Sequence, residues 1–324
     1  MRPRTTPPGT TTGAATTDAT TAGAATAATT TGTTTAAVPD DTEFKALLDR
    51  LSDKATQDYY NPFTTFDWPP AIPADGLWMS PELLSVHGTE LMDELSPDQL
   101  RALSRWESVN FYSLNVHGIR ELLIEVTRRI HTPGFELPSE FFHHFVGEEN
   151  DHMWFFATFC LRYADKIYPD KSVRLPEAPR DPDIQNFLVF ARILVFEQIV
   201  DHYNVHLAAD DRLHPTIRHI NRLHHQDESR HIAFGCRLVQ LLWERLLRGG
   251  LDDTARRDLR GYLDRYLALS IAAFYNPAVY RDAGLPDGFA LRKRLLAHPA
   301  RQAAHARVLH KTTGFLRRIG VFDD

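Results

Sequence analysis

Residues 224–235 read HHQDESRHIAFG, a stretch in which three histidines and two acidic residues precede an apolar segment. His224, Glu228 and His231 are spaced i, i+4 and i+7, so in a helix all three project from one face. The same face continues through four apolar residues, Ile217, Ile220, Leu238 and Leu242. Two neighbours fall off that face and are expected to be solvated, His225 and Arg230. Ligand-type side chains thus interrupt an apolar helix face, which favours a buried metal site over an ordinary surface helix.

A second predicted helix, residues 139–166, contains two Glu-x-x-His pairs. Glu149 and His152 interrupt an apolar stripe formed by Phe145, Phe156 and Phe159. Burying a carboxylate and an imidazole without partners costs several kcal/mol, and a metal ion compensates for that cost. Glu140 and His143 lie on a face that is polar throughout, so we expect this second pair to be solvated.

Helical spacing and capping signals predict an all-α fold with no strands. The stretch SPDQ at 96–99 combines an N-cap Ser, a Pro and a Gln, and it begins a helix that runs to about Ile130. Further long helices are predicted at about 139–166, 183–208 and 216–247, and two or three more over 252–320, with breaks near Asn276–Pro277 and Gly284–Pro286. The prediction is a ferritin-like four-helix bundle core with additional C-terminal helices.

A ferritin-like di-iron bundle takes one Glu from each of two helices and a Glu-x-x-His motif from each of the other two. Glu197 lies in the almost wholly apolar run 187–200, where an unpaired acid would be costly. The remaining helix offers Glu107, Glu121 and Glu125 on roughly the same side, so periodicity does not choose among them. Helix hairpins bring residues equidistant from the turn to one level, and this criterion selects Glu121 as level with the first Glu-x-x-His motif.

The sequence resembles the di-iron oxygenases typified by the p-aminobenzoate N-oxygenase AurF. The resemblance covers about residues 90–245 and rests on WESVNFYSLNVHGIRELL, HHFVGEENDHMWFFATFC, FEQIVDHYN and HHQDESRHIAFG. It implies seven metal ligands, Glu121, Glu149, His152, Glu197, His224, Glu228 and His231. His224 would be a third imidazole, absent from ordinary ferritin-like sites. Asp227, and Glu148 at a position where an Asp is usual, would orient the ligating histidines.

The predicted donor set of carboxylates and imidazoles suits two iron ions, whereas zinc has no redox chemistry. The resemblance implies O₂ as co-substrate and N-oxygenation of an aromatic or related small amine in natural-product biosynthesis. Since no GxGxxG motif lies between a strand and a helix, electrons are expected from an external reductase or electron carrier. The same site performing C-hydroxylation or another oxidation stays open, as does a non-enzymatic ferritin-like iron-binding protein. The broad apolar helix faces predict a homodimer.

The 324-residue chain is 43% hydrophobic and 24% charged, which is typical of a globular protein with a sizeable core. Its net charge of -6 makes nucleic acid an unexpected partner, and no apolar run reaches membrane-spanning length. Two distant cysteines, with no leader sequence evident, favour the cytoplasm. Residues 1–38 are almost entirely Thr, Ala, Gly and Pro, so we expect a disordered tail before a single helical domain over 39–324.

Overall fold

The chain folds almost entirely into helices over the residues that the computed structural model describes, which are 42–170 and 181–323. The N-terminal part holds α1 (Thr42–Asp58), α2 (Pro62–Thr65), a 3₁₀ turn (Pro81–Leu83) and α3 (Glu90–Glu94). Four long helices follow, α4 (Pro97–Thr127), α5 (Ser139–Ala164), α6 (Pro182–Ala209) and α7 (Pro215–Arg248). The C-terminal part holds α8 (Asp253–Ala273), α9 (Pro277–Asp282), α10 (Gly288–Ala297) and α11 (Pro299–Arg318). The predicted tail, 1–38, lies outside the described residues, so its boundary with the helical domain stays a prediction.

Capping residues define where the long helices begin. Ser96 accepts a hydrogen bond from the backbone of Gln99, whose side chain accepts one from the backbone of Ser96, so the predicted capping box is confirmed. Asp181 caps α6 in a similar way through its carboxylate. The prediction of two or three C-terminal helices was wrong, since the structure has four there. The additional break is at His298, which accepts a hydrogen bond from Ala300 and begins α11.

Side-chain contacts establish the directions of the four long helices. Helices α4 and α5 are antiparallel, because the Arg105 guanidinium donates to the carbonyl of Tyr163 while the Tyr112 and Phe156 rings stack at 5.0 Å. Contacts between α5 and α7 show that these helices are antiparallel. Helices α6 and α7 are also antiparallel, because Asn204 contacts His224 and Phe187 contacts Trp243. Helices α5 and α6 are consequently parallel. The bundle therefore has one long crossover connection, between α5 and α6, which is the ferritin-like arrangement.

The apolar core consists of two clusters with a polar layer between them. On α5, Phe141, Phe142 and Phe145 belong to one cluster, and Phe155, Phe156 and Phe159 belong to the other. On α7, Ile217 and Ile220 lie in the second cluster, and Phe234 and Leu238 lie in the first. The residues between these groups include the Glu-x-x-His motifs of both helices. The packing thus holds ligand-type side chains at the centre of the bundle, enclosed by apolar residues above and below.

No helix among the described residues is long and apolar enough to cross a lipid bilayer. Within 42–170 and 181–323 the only β-type pairing is an isolated bridge between Leu77 and Leu213.

Candidate metal centre

The two Glu-x-x-His motifs meet at the centre of the bundle. Glu149, His152, Glu228 and His231 each offer one ligand atom, and these atoms all lie within 4.8 Å of one another. All four side chains are buried, with at most 1% of each residue exposed. Since i and i+3 share a helix face, each motif projects both of its side chains toward the other helix.

Glu197 and His224 extend this cluster on two sides. Glu197 Oε2 lies 3.9 Å from His231 Nδ1, and His224 Nε2 lies 2.7 Å from Glu228 Oε1. Both residues are buried. The structure therefore brings together six of the seven residues that the sequence suggested as ligands.

Many ligand-type atoms in this layer have no hydrogen-bond partner although they are fully buried. They are both carboxylate oxygens of Glu149, both of Glu228, Oε1 of Glu197, Nδ1 of His152 and Nδ1 of His231. A buried polar atom left unpaired costs on the order of 1–3 kcal/mol, and more when the group is charged. Bound divalent cations would satisfy these atoms together, because carboxylate oxygens and imidazole nitrogens are the ligands of iron, manganese and zinc sites. The residues present thus fit a metal centre.

The electrostatics of the cluster also favour bound positive charge. Burial disfavours the ionised form of Glu149, but the adjacent His152 and His231 imidazoles outweigh burial and lower the pKa of Glu149 below its ordinary value. Burial opposes protonation of His152, yet Glu149 and Asp227 raise the pKa of His152 to about 10. The carboxylates therefore attract either protons on the histidines or cations in their place, and cation binding would release those protons.

Each motif histidine is held by an acid from the opposite motif. His152 Nε2 lies 3.0 Å from Asp227 Oδ2, and His231 Nε2 lies 2.8 Å from Glu148 Oε2. An Nε2–H that donates to a carboxylate leaves Nδ1 as the unprotonated nitrogen, and in both residues Nδ1 faces the cluster. Asp227 and Glu148 thus contact the two histidines that the resemblance implied they would orient, and Glu148 does so although an Asp is usual at its position.

Arg230 joins these two outer acids, and the expectation that it is solvated was wrong. Its Nη2 donates to Glu148 Oε1 at 2.6 Å and to Asp227 Oδ1 at 2.5 Å, and only 5% of the residue is exposed. Asp58, at the end of α1, accepts from Arg230 Nη1 at 3.2 Å, and the Tyr60 hydroxyl donates to Asp227 Oδ2 at 3.0 Å. The i+3 spacing of Asp227 and Arg230 could have indicated this pairing, but the contribution of the α1 segment had no sequence signal.

His224 reaches the cluster through Nε2, and its other ring nitrogen contacts an amide. His224 Nδ1 lies 2.7 Å from Asn204 Nδ2, while Asn204 Oδ1 is buried without a partner. Amide oxygen and nitrogen are interchangeable by a flip of the side chain, so either Asn204 atom can occupy the position next to His224 Nδ1. In the flipped orientation Asn204 Oδ1 would accept from His224 Nδ1–H, which would free the Nε2 lone pair for a metal. His225 has its side chain 41% exposed, as expected.

Glu121 does not reach the cluster. Its side chain is 65% exposed and lies 3.3 Å from Arg120 Nε. The predicted level was nearly right, because the contacts that pair Val109 with Cys160 and Tyr112 with Phe156 place Ile119 beside Glu149. The predicted face was wrong: the buried face of α4 passes through Asn115, Ile119 and Leu122, and position 121 is about 200° further round the helix than 119.

The other acids that the sequence offered on α4 also lie outside the cluster. Glu107 is buried, but it accepts hydrogen bonds from the backbone and hydroxyl of Ser85. Glu125 pairs with Arg129 at 2.8 Å near the end of the helix. In α5, Glu140 and His143 are exposed, which confirms the expectation that this pair is solvated.

A cavity of about 630 Å³ lies between α4, α6 and α8. Its walls include Asn115 and Gly118 of α4 and Phe196 of α6, the residue that precedes Glu197. Most of the lining is apolar, with charged side chains at Glu121, Glu125, Asp170, Arg192 and Arg292. The cavity thus extends along the α4 side of the bundle, at the level of the candidate metal centre.

The chain is similar to known proteins in sequence and in fold. The family described as P-aminobenzoate N-oxygenase AurF matches residues 41–320. Among solved structures, a variant of an R2-like ligand-binding oxidase with an anaerobically reconstituted Mn/Fe cofactor is similar at 14% identity and a TM-score of 0.44, covering 81% of this chain and 93% of that one. An R2-like ligand-binding oxidase from Sulfolobus acidocaldarius is similar at 19% identity and a TM-score of 0.39, covering 81% and 90%. No curated protein matches the sequence.

Proposed function

Because the chain belongs to the P-aminobenzoate N-oxygenase AurF family, we propose that it is an O₂-dependent di-iron oxygenase that oxidises the amino group of a small aromatic or related amine. The observation that carries this proposal is the group of buried carboxylate and imidazole atoms that lack hydrogen-bond partners. Family membership indicates an enzyme of the oxidase or oxygenase type. The iron pair, the N-oxygenation and the amine are the proposed part.

Six residues would hold the metals, Glu149, His152, Glu197, His224, Glu228 and His231. Two ferrous ions bound there would supply the electrons with which O₂ is activated. Iron fits this donor set and this chemistry, whereas zinc would bind but has no redox activity. No side chain is required as a nucleophile.

The chain's own residues prepare the site for that reaction. Asp227 and Glu148 hold the Nε2 protons of His152 and His231, which keeps both rings in one orientation. Arg230 fixes the two acids relative to each other. The apolar clusters above and below exclude water, which strengthens electrostatic interactions within the layer.

The cavity beside α4 supports binding of an organic substrate. Its volume of about 630 Å³ is within the range of small-molecule sites, and Phe196 and Phe274 provide aromatic surface for a ring. Arg192 lines the cavity, and its Nε is buried without a hydrogen-bond partner. Because this N–H has no partner, it is available to donate a hydrogen bond to a carboxylate at the end of the substrate opposite the amine.

Two other functions are distinguishable from N-oxygenation. C-hydroxylation or another oxidation would use the same metals and the same cavity and would differ only in which substrate atom lies nearest to them. An iron-storage protein needs no organic cavity, so the lined cavity favours an enzyme. We further propose that an external reductase or electron carrier supplies electrons and that the chain forms a homodimer, which light scattering at micromolar concentration tests.

A single-turnover experiment tests the proposed reaction. The iron-loaded protein is reduced anaerobically and then mixed with ¹⁸O₂ and a panel of aromatic amines with and without a carboxylate. Mass spectrometry should find the label in hydroxylamine, nitroso or nitro products. Label on carbon would replace N-oxygenation by C-oxygenation, and oxidised iron without any labelled product would favour iron storage.

A further inference from the structure

The four long helices contribute unequally to the polar layer of the bundle. Helices α5, α6 and α7 each bring at least one buried carboxylate to it, in Glu149, Glu197 and Glu228. The part of α4 at the same level presents Ile119 and Leu122, which are buried and apolar. The polar residue of α4 nearest to this level on the buried face is Asn115.

Two contacts of Tyr112 place Asn115 at the height of the metal centre. In α4 and α5, Tyr112 packs against Phe156 in an antiparallel pair, so Asn115 is level with His152 and its neighbour Met153. In α7, which runs parallel to α4, Asn221 donates to the Tyr112 hydroxyl at 2.8 Å. Three residues further along both helices, Asn115 is level with His224. The side chain therefore lies at the height of two of the three histidines in the cluster.

Asn115 is also incompletely bonded. It is 0% exposed, its Nδ2 donates to the carbonyl of Phe111 at 2.8 Å, and its Oδ1 is buried without a partner. The intrahelical hydrogen bond uses the amide's donor and leaves its acceptor available. An amide oxygen is a neutral and weaker ligand for a divalent cation than a carboxylate.

The missing carboxylate alters the charge of the centre. Two divalent cations surrounded by Glu149, Glu197 and Glu228 with neutral histidines retain one positive charge in the inner layer. A fourth carboxylate from α4 would cancel it. Asn115 also lines the cavity of about 630 Å³, so a small molecule in this cavity contacts the α4 side chain that lies at the height of the centre.

We propose, on the basis of the proposed metal centre, that Asn115 stands in the place of an α4 carboxylate and that a small carboxylate entering through the cavity completes the coordination of the metal on that side. The exogenous anion supplies the negative charge that α4 lacks. Glu121, which lines the same cavity but is exposed, is not a ligand under this proposal.

Cobalt titration with acetate as the probe tests the proposal. The full chain is freed of metal and titrated anaerobically with Co²⁺, whose visible absorption reports its ligands, with and without acetate. In the wild type, acetate should shift the Co²⁺ spectrum and tighten one of two Co²⁺ ions by about tenfold to a hundredfold, the range by which a supporting group alters metal affinity. Asn115→Asp should bind both ions tightly without acetate and lose the response to acetate.

Glu121→Gln is the matched variant on the same helix and cavity wall. Because Glu121 is exposed, this variant should fold and should retain both the two Co²⁺ ions and the acetate response of the wild type. Loss of one Co²⁺ ion in Glu121→Gln would overturn the proposal, since Glu121 would then have moved in to serve as the α4 ligand. A wild type that binds two Co²⁺ ions without any response to acetate would also overturn it. Failure of the wild type to bind Co²⁺ at all would instead refute the proposed metal centre.

Discussion

At the scale of single residues, the centre is defined by side chains that are destabilising on their own. Glu149 and Glu228 bury all four carboxylate oxygens without a hydrogen-bond partner. Replacing such buried residues by apolar ones often increases stability. The free energy of folding therefore does not explain their presence, which points instead to a bound ligand. The outer residues Asp227, Glu148 and Arg230 are by contrast well paired.

His224→Ala should remove one imidazole while leaving both Glu-x-x-His motifs intact. Because His224 Nε2 lies 2.7 Å from Glu228 Oε1, its loss exposes one side of the cluster. Iron content measured by plasma mass spectrometry should fall from about two to about one ion per chain, given a di-iron centre. Glu140→Ala, at an exposed position of α5, is the control and should retain the wild-type content. Two irons in His224→Ala would remove His224 from the ligand set.

Glu107 should make stability depend on pH. Burial raises the pKa of Glu107 to about 7 from its ordinary value of 4.5, so the folded state holds this proton more tightly than the unfolded state. Its stabilising contribution is therefore complete below pH 4.5 and is lost as the pH rises through about 7. Glu107→Gln lacks this titration.

Between about pH 4.5 and pH 8, the free energy of unfolding of the wild type should therefore fall relative to that of Glu107→Gln by about 3 kcal/mol, at 1.36 kcal/mol per pKa unit. Urea denaturation of both proteins at several pH values measures this difference. A difference between the two proteins that is independent of pH would show that Glu107 keeps an ordinary pKa.

At the scale of helices, periodicity and caps predicted the four long helices to within a few residues at most ends. The hairpin argument also predicted the level of the centre, because a short turn keeps two antiparallel helices in register. It did not predict the face of α4 at that level. Three glutamates lie on α4. Whether each of them is buried or exposed depends on which neighbouring residues cover it, and that is a property of the tertiary packing. Arg230 was misjudged for the same reason: its partners come from α5 and from the α1 segment.

Gly118 of α4 packs directly against the ring of Phe196 of α6. A Cβ atom at position 118 would lie 2.4 Å from a ring carbon of Phe196, whereas at Gly147 of α5 nothing lies within 4 Å. Gly147→Ala should therefore be stabilising by up to about 1 kcal/mol through helix propensity. Gly118→Ala should be destabilising by about 1–3 kcal/mol, because the Phe196 ring must move. Thermal unfolding of the two variants measures both effects. An equal gain in both would mean that Phe196 moves into the adjoining cavity without cost.

At the scale of the whole molecule, the family match and the helical fold cover nearly the same part of the chain, with the match beginning at residue 41. The Thr- and Ala-rich residues 1–38 lack the large apolar side chains that a core requires. Within the matched part of the chain, helical spacing and capping signals made the fold class predictable from the sequence. The cavity was not, because its walls come from α4, α6 and α8, and no sequence pattern relates residues on three separate helices.

Removal of residues 1–38 should leave the melting temperature and the iron content unchanged, since no part of the proposed centre depends on them. Differential scanning calorimetry and metal analysis of the truncated and full-length chains make the comparison. A substantial decrease in either quantity would mean that the tail docks on the helical domain.

Iron analysis of the full-length protein, combined with Mössbauer spectroscopy after loading with ⁵⁷Fe²⁺ and exposure to O₂, tests the central claim most directly. The proposed centre predicts about two iron ions per chain, as in ferritin-like di-iron bundles, and a spectrum of two ferric ions coupled to a diamagnetic ground state. Glu228→Ala, which removes the carboxylate next to His152, His224 and His231, should lose that spectrum. A wild type that holds less than one iron per chain, or uncoupled ferric ions that persist in Glu228→Ala, would contradict a di-iron centre in this bundle.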